Sequence, residues 1–554
     1  MLAGLVALVV TLFGYAMYKN GLPITGPFIF GDELEYFSYA RDLFAGGDLS
    51  NHTQYGLLYP VLGSLFFKLG DVESVYHALR LLNIAIHISS AIPAFLLVRM
   101  LFPKSIMLFL FPVFVATAPF SGFVYLIWAE PLYYTLFFWT AFALLCFYRK
   151  PGIAIGSVGG VLLALLFHAK PAAGIVVQIA SFLSLIALVA VTPSASRSRL
   201  ITPMLALGIS CAALTLPWMA RNLSLGVGII GYASHSYQLA SLIAEFGYVH
   251  LAKEATLSVF YQLAYVFVGT WGLLGVLVIL PVMRWRTFAK ENFTLIVFAV
   301  LCIAGLIYLS ALGMSGYRGL GYWMPNGRYL SVVVPLSVLL SLGLLDRIPS
   351  NSEKFWLILI TATLAIITAL ATPLLVVAPY SFVNNTELAL PIWIIDKAHV
   401  IWRGRYDPSI YERVIFAAIY GAAGLMLIWV SRWRNIFFFC ITLVFAGSFV
   451  ASLAEHRYVE IIGQTQAGLN DAIKFLQREH LVEKEIAFDR ELKSGNVEYI
   501  ARFWTASDKL RYLDQSEIVN SAGNSSGLNF FVTFKSMPYP VTFSSNGLFV
   551  YRVR

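Results

Sequence analysis

The sequence predicts a polytopic α-helical membrane protein with a water-exposed α/β domain at its C-terminal end. Three observations predict it. Of 554 residues, 59% are hydrophobic and only 12% charged, with a mean hydropathy of +0.76; soluble domains run about 45–50% apolar and about 25% charged. Apolar runs of about 20 residues, the length that crosses a bilayer core, recur from the N-terminus to residue 453. Charge then changes abruptly. Residues 455–554 hold 12 Lys/Arg and 12 Asp/Glu, whereas residues 1–454 hold 26 basic and 17 acidic groups and the whole net charge of +9. This excludes an ordinary soluble enzyme, a disordered tail and a disulfide scaffold. It divides the chain into a membrane part, 1–454, and an outer domain, 455–554.

About thirteen spans are expected, near 1–18, 76–99, 106–124, 132–148, 152–169, 172–192, 200–220, 259–283, 293–312, 329–345, 355–379, 412–431 and 435–453. Short basic loops lie on one side: Arg99/Lys104, Arg149/Lys150, Arg197/Arg199, Arg284/Arg286/Lys290, Arg347/Lys354 and Arg432/Arg434. Positive loops stay cytoplasmic, so the long loops 19–75, 221–258, 313–328 and 380–411, together with the C-terminal domain, face outward. The pI near 9.2 follows from these loop positives, and no nucleic-acid partner is expected. Lys19 at the outer end of the first span runs against the other loops. A cleaved signal peptide is not expected, because no positive n-region or small-residue cleavage site is present. Cys146, Cys211, Cys302 and Cys440 fall inside apolar runs without CxxC spacing and read as packing residues. In the outer domain, residues 466–479 have helical periodicity, and 528–534 and 548–553 read as strands.

The first outer loop, 19–75, carries the chemistry-bearing signal. Asp32, Glu33 and Glu35 follow the first span. The segment 34–44 is amphipathic and 56–69 is apolar but broken by Pro60; both are too short to span and are expected to lie in the interface plane. Other polar groups gather at the same outer ends: Glu130 before Pro131, His168 and Lys170 before Pro171, His77 and Arg80 opening the second span, and Arg328-Tyr329 opening the tenth. Snorkelling cations and interfacial aromatics account for any one of these alone. Together they place acids and cations at one interface, whereas transporters keep ionisable groups near the midplane, a depth for which His87 is the clearest candidate here. A carboxylate beside cations at a lipid surface suits transfer of a group from a lipid phosphate: the acid takes the acceptor's proton and the cations stabilise the departing phosphate.

The order of Gly31-Asp32-Glu33, Arg80-Leu81-Leu82-Asn83, Glu130-Pro131, His168-Ala169-Lys170-Pro171 and Asn326-Gly327-Arg328-Tyr329-Leu330 resembles the GT-C membrane glycosyltransferases, in particular the branch of protein O-mannosyltransferases and the lipid A aminoarabinose transferase. The resemblance implies the GT-C fold. It also implies an inverting transfer of one sugar from a polyprenyl-phosphate donor to an extracytoplasmic protein, lipid or glycan acceptor, at the plasma (inner) membrane. It makes Asp32 the acid that activates the acceptor and Glu130 a second acidic site residue, with Lys170 and Arg328 facing the donor phosphate, Arg80 behind them and His168 and Tyr329 beside them. Glu33 orients Asp32, contacts the sugar or holds a divalent cation. No DxD triplet is present, which weighs against a metal, and no other cofactor is expected. Against an oligosaccharyltransferase stands the absence of a Trp-Trp-Asp-Tyr-Gly stretch. A glycan polymerase or ligase would also use lipid-linked substrates and outer-loop arginines. A lipid-linked sugar transporter or flippase would move its substrate without Asp32-dependent bond cleavage.

Overall fold

The computed structural model describes the chain except residues 1, 23, 25, 28–30, 48, 51, 53–54, 104, 229–246, 285–288, 317–326, 346–348, 372–407, 432, 479–484, 490–503, 505–510, 514–527, 534–540, 546–547 and 553–554. Its helices in chain order are α1 (Leu2–Gly21), α2 (Gly31–Ala45), α3 (Leu58–Ser64), α4 (Val72–Ser89), α5 (Ala91–Leu101), α6 (Met107–Thr117), α7 (Glu130–Arg149), α8 (Ile153–Ala169), α9 (Pro171–Val191) and α10 (Ser194–Ser224). There follow α11 (Tyr248–Gly269), α12 (Leu274–Arg284), α13 (Lys290–Gly316), α14 (Gly327–Leu330), α15 (Val334–Leu345), α16 (Asn351–Ala371), α17 (Pro408–Val430) and α18 (Arg434–Arg478).

Among the described residues seven helical segments are long and apolar enough to cross a membrane, or nine if two bent pairs each count as one span. Shorter apolar helices at Ile153–Ala169, Val334–Leu345, Ala418–Val430 and Ile436–Val450 coincide with further expected spans. Exposure follows lipid logic. In α1, Leu5, Leu8 and Leu12 face outward while Val6, Val10, Phe13 and Met17 are buried, the one-sided stripe of a helix between protein and lipid. The central α7 is buried almost all round.

Two expected spans are not straight. The segment 106–124 is bent by 42° between Met107–Thr117 and Pro119–Tyr125, where Pro119 opens a 3₁₀ turn. The segment 259–283 is bent by 91° between Ser258–Gly269 and α12. Trp271 (φ 53°) and Gly272 (φ 76°) make that corner, and a Cβ at Gly272 would overlap the Tyr420 carbonyl of α17. A hydropathy window reads through such a corner because the long apolar runs on both sides of Gly269-Thr270-Trp271-Gly272 outweigh it.

The first loop holds two short helices, as expected. α2 packs on α3 and the 3₁₀ turn Leu65–Leu69 that continues it, with the Phe37 and Phe67 rings 5.0 Å apart. Asp71 caps α4 by accepting the Ser74 N–H at 2.7 Å, the usual N-cap bond. That bond holds the Asp71 carboxyl below the usual carboxylate range.

At 45 residues, α18 is about 67 Å long, over twice the hydrocarbon thickness of about 30 Å. The division drawn at 454/455 falls inside this one helix. Beyond it, β1 (Glu485–Asp489), β2 (Arg511–Leu513), β3 (Leu528–Thr533), β4 (Val541–Ser545) and β5 (Leu548–Arg552) form a five-stranded sheet of order β2-β1-β3-β5-β4. β1 runs parallel to β2 and β3; β3, β5 and β4 pair antiparallel. Val532 and Val550, directly opposite each other, are fully buried, and α18 packs on β4 and β5. The four cysteines are free. His87 sits buried beside the stacked Phe120 and Tyr134 rings, with Nε2–H donating to the Ala116 carbonyl at 3.0 Å, a packing position.

Candidate active site

Four charged side chains meet where the ends of separate helices converge. Asp32 lies in the first turn of α2 and Glu130 opens α7 with Pro131 next to it. Acids at helix N-termini face the positive end of the helix dipole, and proline fits there because its missing N–H would have no helical partner. Lys170 is the single residue between α8 and α9, so its side chain leaves the corner itself. Arg328 belongs to the four-residue α14. That turn is tied down by Tyr265, whose hydroxyl bonds the Ser331 hydroxyl at 2.6 Å; a Cβ at Gly327 would overlap the Tyr265 ring, so only glycine fits there.

Asp32 accepts from Arg328 Nη1 and from the Tyr55 hydroxyl, both at 2.7 Å. Glu130 Oε1 accepts from Lys170 Nζ in a short contact and lies 3.8 Å from Arg328 Nη1. Arg328 therefore bridges the acids, and two cations balance two carboxylates. Aromatic faces complete the wall: Lys170 Nζ stands 4.3 Å from the Tyr329 ring centre, and the Arg328 guanidinium lies 5.2 Å from Trp128 and 5.5 Å from Tyr329. Tyr36 packs 4.6 Å from the Tyr55 ring. Burial alone would raise the Asp32 carboxyl; Arg328, Tyr55 and Lys170 outweigh it and hold it below the usual range. Burial and the neighbouring acids push the Tyr36 and Tyr55 phenols well up, so both are neutral donors at neutral pH.

Accessibility separates the two acids. Asp32 keeps 29% of its side chain exposed while Glu130 keeps 3%, so Asp32 is the more accessible of the two carboxylates.

No family model and no curated protein matches the sequence. Among solved structures, the crystal structure of ArnT from Cupriavidus metallidurans in the apo state superposes over 100% of this chain and 98% of that one, at a TM-score of 0.50 and 14% identity. The structure of the same protein bound to undecaprenyl phosphate gives a TM-score of 0.49 and 12% identity over the same extents. ArnT is a GT-C lipid A aminoarabinose transferase. This chain has the GT-C fold.

Within the GT-C fold, Asp32, Glu130, Lys170, Arg328 and Tyr329 come together as the sequence pattern suggested, and three other residues do not join them in the expected way. Arg80 is turned to the chain after α1: its guanidinium donates to the Ile24 carbonyl at 2.8 Å and to the Gly21 carbonyl. That placement puts its terminal nitrogens on backbone carbonyls at the end of α1, where the last carbonyls need donors. His168, expected beside Lys170, instead uses Nε2–H to donate to the Leu214 carbonyl at 3.0 Å and packs edge-on to Trp218. It sits in the last turn of α8, two residues before the corner, and points to α10. Glu33 is 1% exposed and accepts the Ile127 N–H at 2.9 Å, which ties α2 to the segment leading to Glu130. Of the three roles open to it, this contact favours the orienting one. Among the described residues no three His, Cys, Asp or Glu side chains are grouped to hold a metal.

Sequence reasoning missed Tyr55 and Tyr36, which carry no local signature beyond being aromatic in the first loop. Trp128 stands in the Trp128-Ala129-Glu130-Pro131 stretch, where a tryptophan reads as an ordinary interfacial anchor.

Proposed function

We propose that the chain is an inverting glycosyltransferase that moves one sugar from a polyprenyl-phosphate donor to an extracytoplasmic acceptor, with Asp32 as general base. The observation that carries this reading is the accessible Asp32 carboxylate set against a bridging arginine and a buried lysine. The acceptor O–H or N–H gives its proton to Asp32 as its heteroatom attacks the anomeric carbon. The bond from that carbon to the phosphate oxygen breaks on the opposite face, and Lys170 and Arg328 stabilise the charge gathering on the leaving phosphate. A phosphate leaves well unaided, so one base is enough, unlike the carboxyl pairs of glycoside hydrolases. Glu130 keeps Lys170 aimed, and Glu33 fixes the turn that carries Asp32.

The one-sided basic loops support an outward-facing site in the inner membrane, and the four shorter apolar helices fit a total of about thirteen spans. The acceptor, whether protein, lipid or glycan, is set by surfaces beyond these residues. A sugar-lipid transporter on the same fold would move its cargo without cleaving a bond. The test is product analysis in nanodiscs: the reading predicts an inverted anomeric configuration, and donor use weakened more than acceptor binding in Lys170→Ala and Arg328→Ala. Retention of configuration, or equal loss of donor and acceptor affinity in both variants, would contradict it.

A further inference from the structure

The helix α18 does more than connect the membrane part to the sheet. Asn470, about ten turns from its start, is 1% exposed, and its Nδ2 reaches the Pro27 carbonyl at 3.5 Å. Its Oδ1 accepts the indole N–H of Trp504 at 2.8 Å. Trp504 belongs to the region beyond α18 and is itself 2% exposed. One turn further on, Lys474 donates to Glu73 at the start of α4 at 2.8 Å and stands 4.7 Å from the Trp504 ring centre. Ile24 and Gly26 are gripped from the membrane side as well. Tyr76 donates to the Gly26 carbonyl at 2.7 Å, and Arg80 donates to the carbonyls of Ile24 and Gly21. A Cβ at Gly26 would overlap the Asn470 side chain, so glycine at 26 is what lets α18 seat there.

Pro27 precedes Asp32 by five residues. Asp32 must hold its carboxylate within reach of an acceptor while keeping Arg328 and Tyr55 at 2.7 Å, and a displacement of about 1 Å in such a constellation costs about 10²-fold in rate. We propose that Asn470 and Trp504 are positioning residues for the transfer reaction: the C-terminal region latches Gly26 and Pro27 through α18 and thereby sets where Asp32 stands. A second contact layer on the same helix serves the other acid. His456 Nε2 lies 2.9 Å from the Ser121 hydroxyl, which bonds Ser452 at 2.8 Å, and Ser121 lies in the turn preceding Trp128 and Glu130. α18 therefore braces the approaches to both carboxylates. This inference rests on the reading of Asp32 as the general base.

The test uses the full chain in nanodiscs with Trp504→Phe, Asn470→Ala and Gly26→Ala. Trp504→Phe keeps an aromatic ring beside Lys474 but loses the indole N–H with part of the ring, while Gly26→Ala pushes Asn470 away from the opposite side. All three should lower kcat about 10- to 100-fold with the donor KM unchanged. They should also speed amide exchange over residues 31–37 without changing it in residues 133–148 of α7. The acid limb of the pH profile should move upward as Asp32 loosens from Arg328. Wild-type kcat with unchanged exchange at 31–37 would overturn the proposal, as would a uniform rise of exchange across α7, which marks general destabilisation. If the wild type transfers no sugar, the glycosyltransferase reading fails, and the exchange comparison still decides whether the latch holds the Asp32 segment.

Discussion

Removing Glu130 should cost more stability than removing Lys170, although the two are direct partners. Both are nearly buried, at 3% and 9% side-chain exposure, and breaking a buried pair by deleting one member typically costs about 3–5 kcal/mol because the survivor keeps an uncompensated charge. Arg328 makes the outcome unequal. In Lys170→Met the Glu130 carboxylate still has Arg328 at 3.8 Å, an attraction of about 4 kcal/mol at an effective dielectric near 20, which offsets most of the penalty. In Glu130→Gln the Lys170 ammonium keeps the face of Tyr329 at 4.3 Å, worth about 0.5–2 kcal/mol, and a longer-range attraction to the Asp32 carboxylate, which Arg328 already pairs. Arg328 still holds Asp32 in that variant and has no spare carboxylate to lend. Glu130→Gln should therefore lose about 3–5 kcal/mol, Lys170→Met at least about 2 kcal/mol less, and the double variant less than Glu130→Gln alone. SDS titration from mixed micelles, followed by tryptophan fluorescence, measures all three. Lys170→Met equal to or worse than Glu130→Gln would refute the bridging role given to Arg328.

Three further outcomes follow from the same geometry. The Asp32 pKa is lowered in the fold, so its ion pair stabilises the protein above the unfolded carboxyl pKa and is lost only as pH falls through the lower folded value. kcat/KM should therefore stay flat from neutrality down to about pH 5. Tyr55→Phe removes one bond to the charged form, worth about 0.5–1.5 kcal/mol, and should raise the acid limb by up to about one pH unit; an unmoved limb would separate Tyr55 from Asp32. Glu33→Gln should lower kcat while leaving the acid limb in place, because Glu33 bonds the Ile127 backbone and not the reacting atoms; a shifted limb would make Glu33 the base. Gly272→Ala combines a positive-φ penalty of about 1–2 kcal/mol with overlap on the Tyr420 carbonyl, and should lower the thermal midpoint sharply; an unchanged midpoint would remove the need for that corner.

Much of the site was legible because charge is expensive in an apolar chain. Asp32, Glu130, Lys170 and Arg328 stand out against long uncharged runs, and each sits beside a helix boundary that sequence can mark, with Pro131 and Pro171 adjacent to two of them. What sequence could not supply was direction. Arg80 and His168 look equivalent to Lys170 in the chain, yet Arg80 turns back to the carbonyls at the end of α1 and His168 turns to α10. That choice depends on which neighbour lacks a donor, a fact of tertiary packing. The corner at Trp271-Gly272 was hidden by the apolar runs on either side of it. Tyr55 was hidden by distance, since 23 residues separate it from Asp32 and nothing in its neighbours marks it. The contact between Asn470 and Pro27 spans 443 residues and leaves no periodic trace.

The most direct test compares wild type with Asp32→Asn, purified into nanodiscs and given a panel of polyprenyl-phosphate sugars with crude envelope acceptor, while free polyprenyl phosphate is measured. General-base removal costs about 10²–10⁴-fold. The account predicts release by wild type, identifying the donor, and a loss of that size in a folded Asp32→Asn. Near-normal release by Asp32→Asn would take Asp32 out of the mechanism and contradict the central claim.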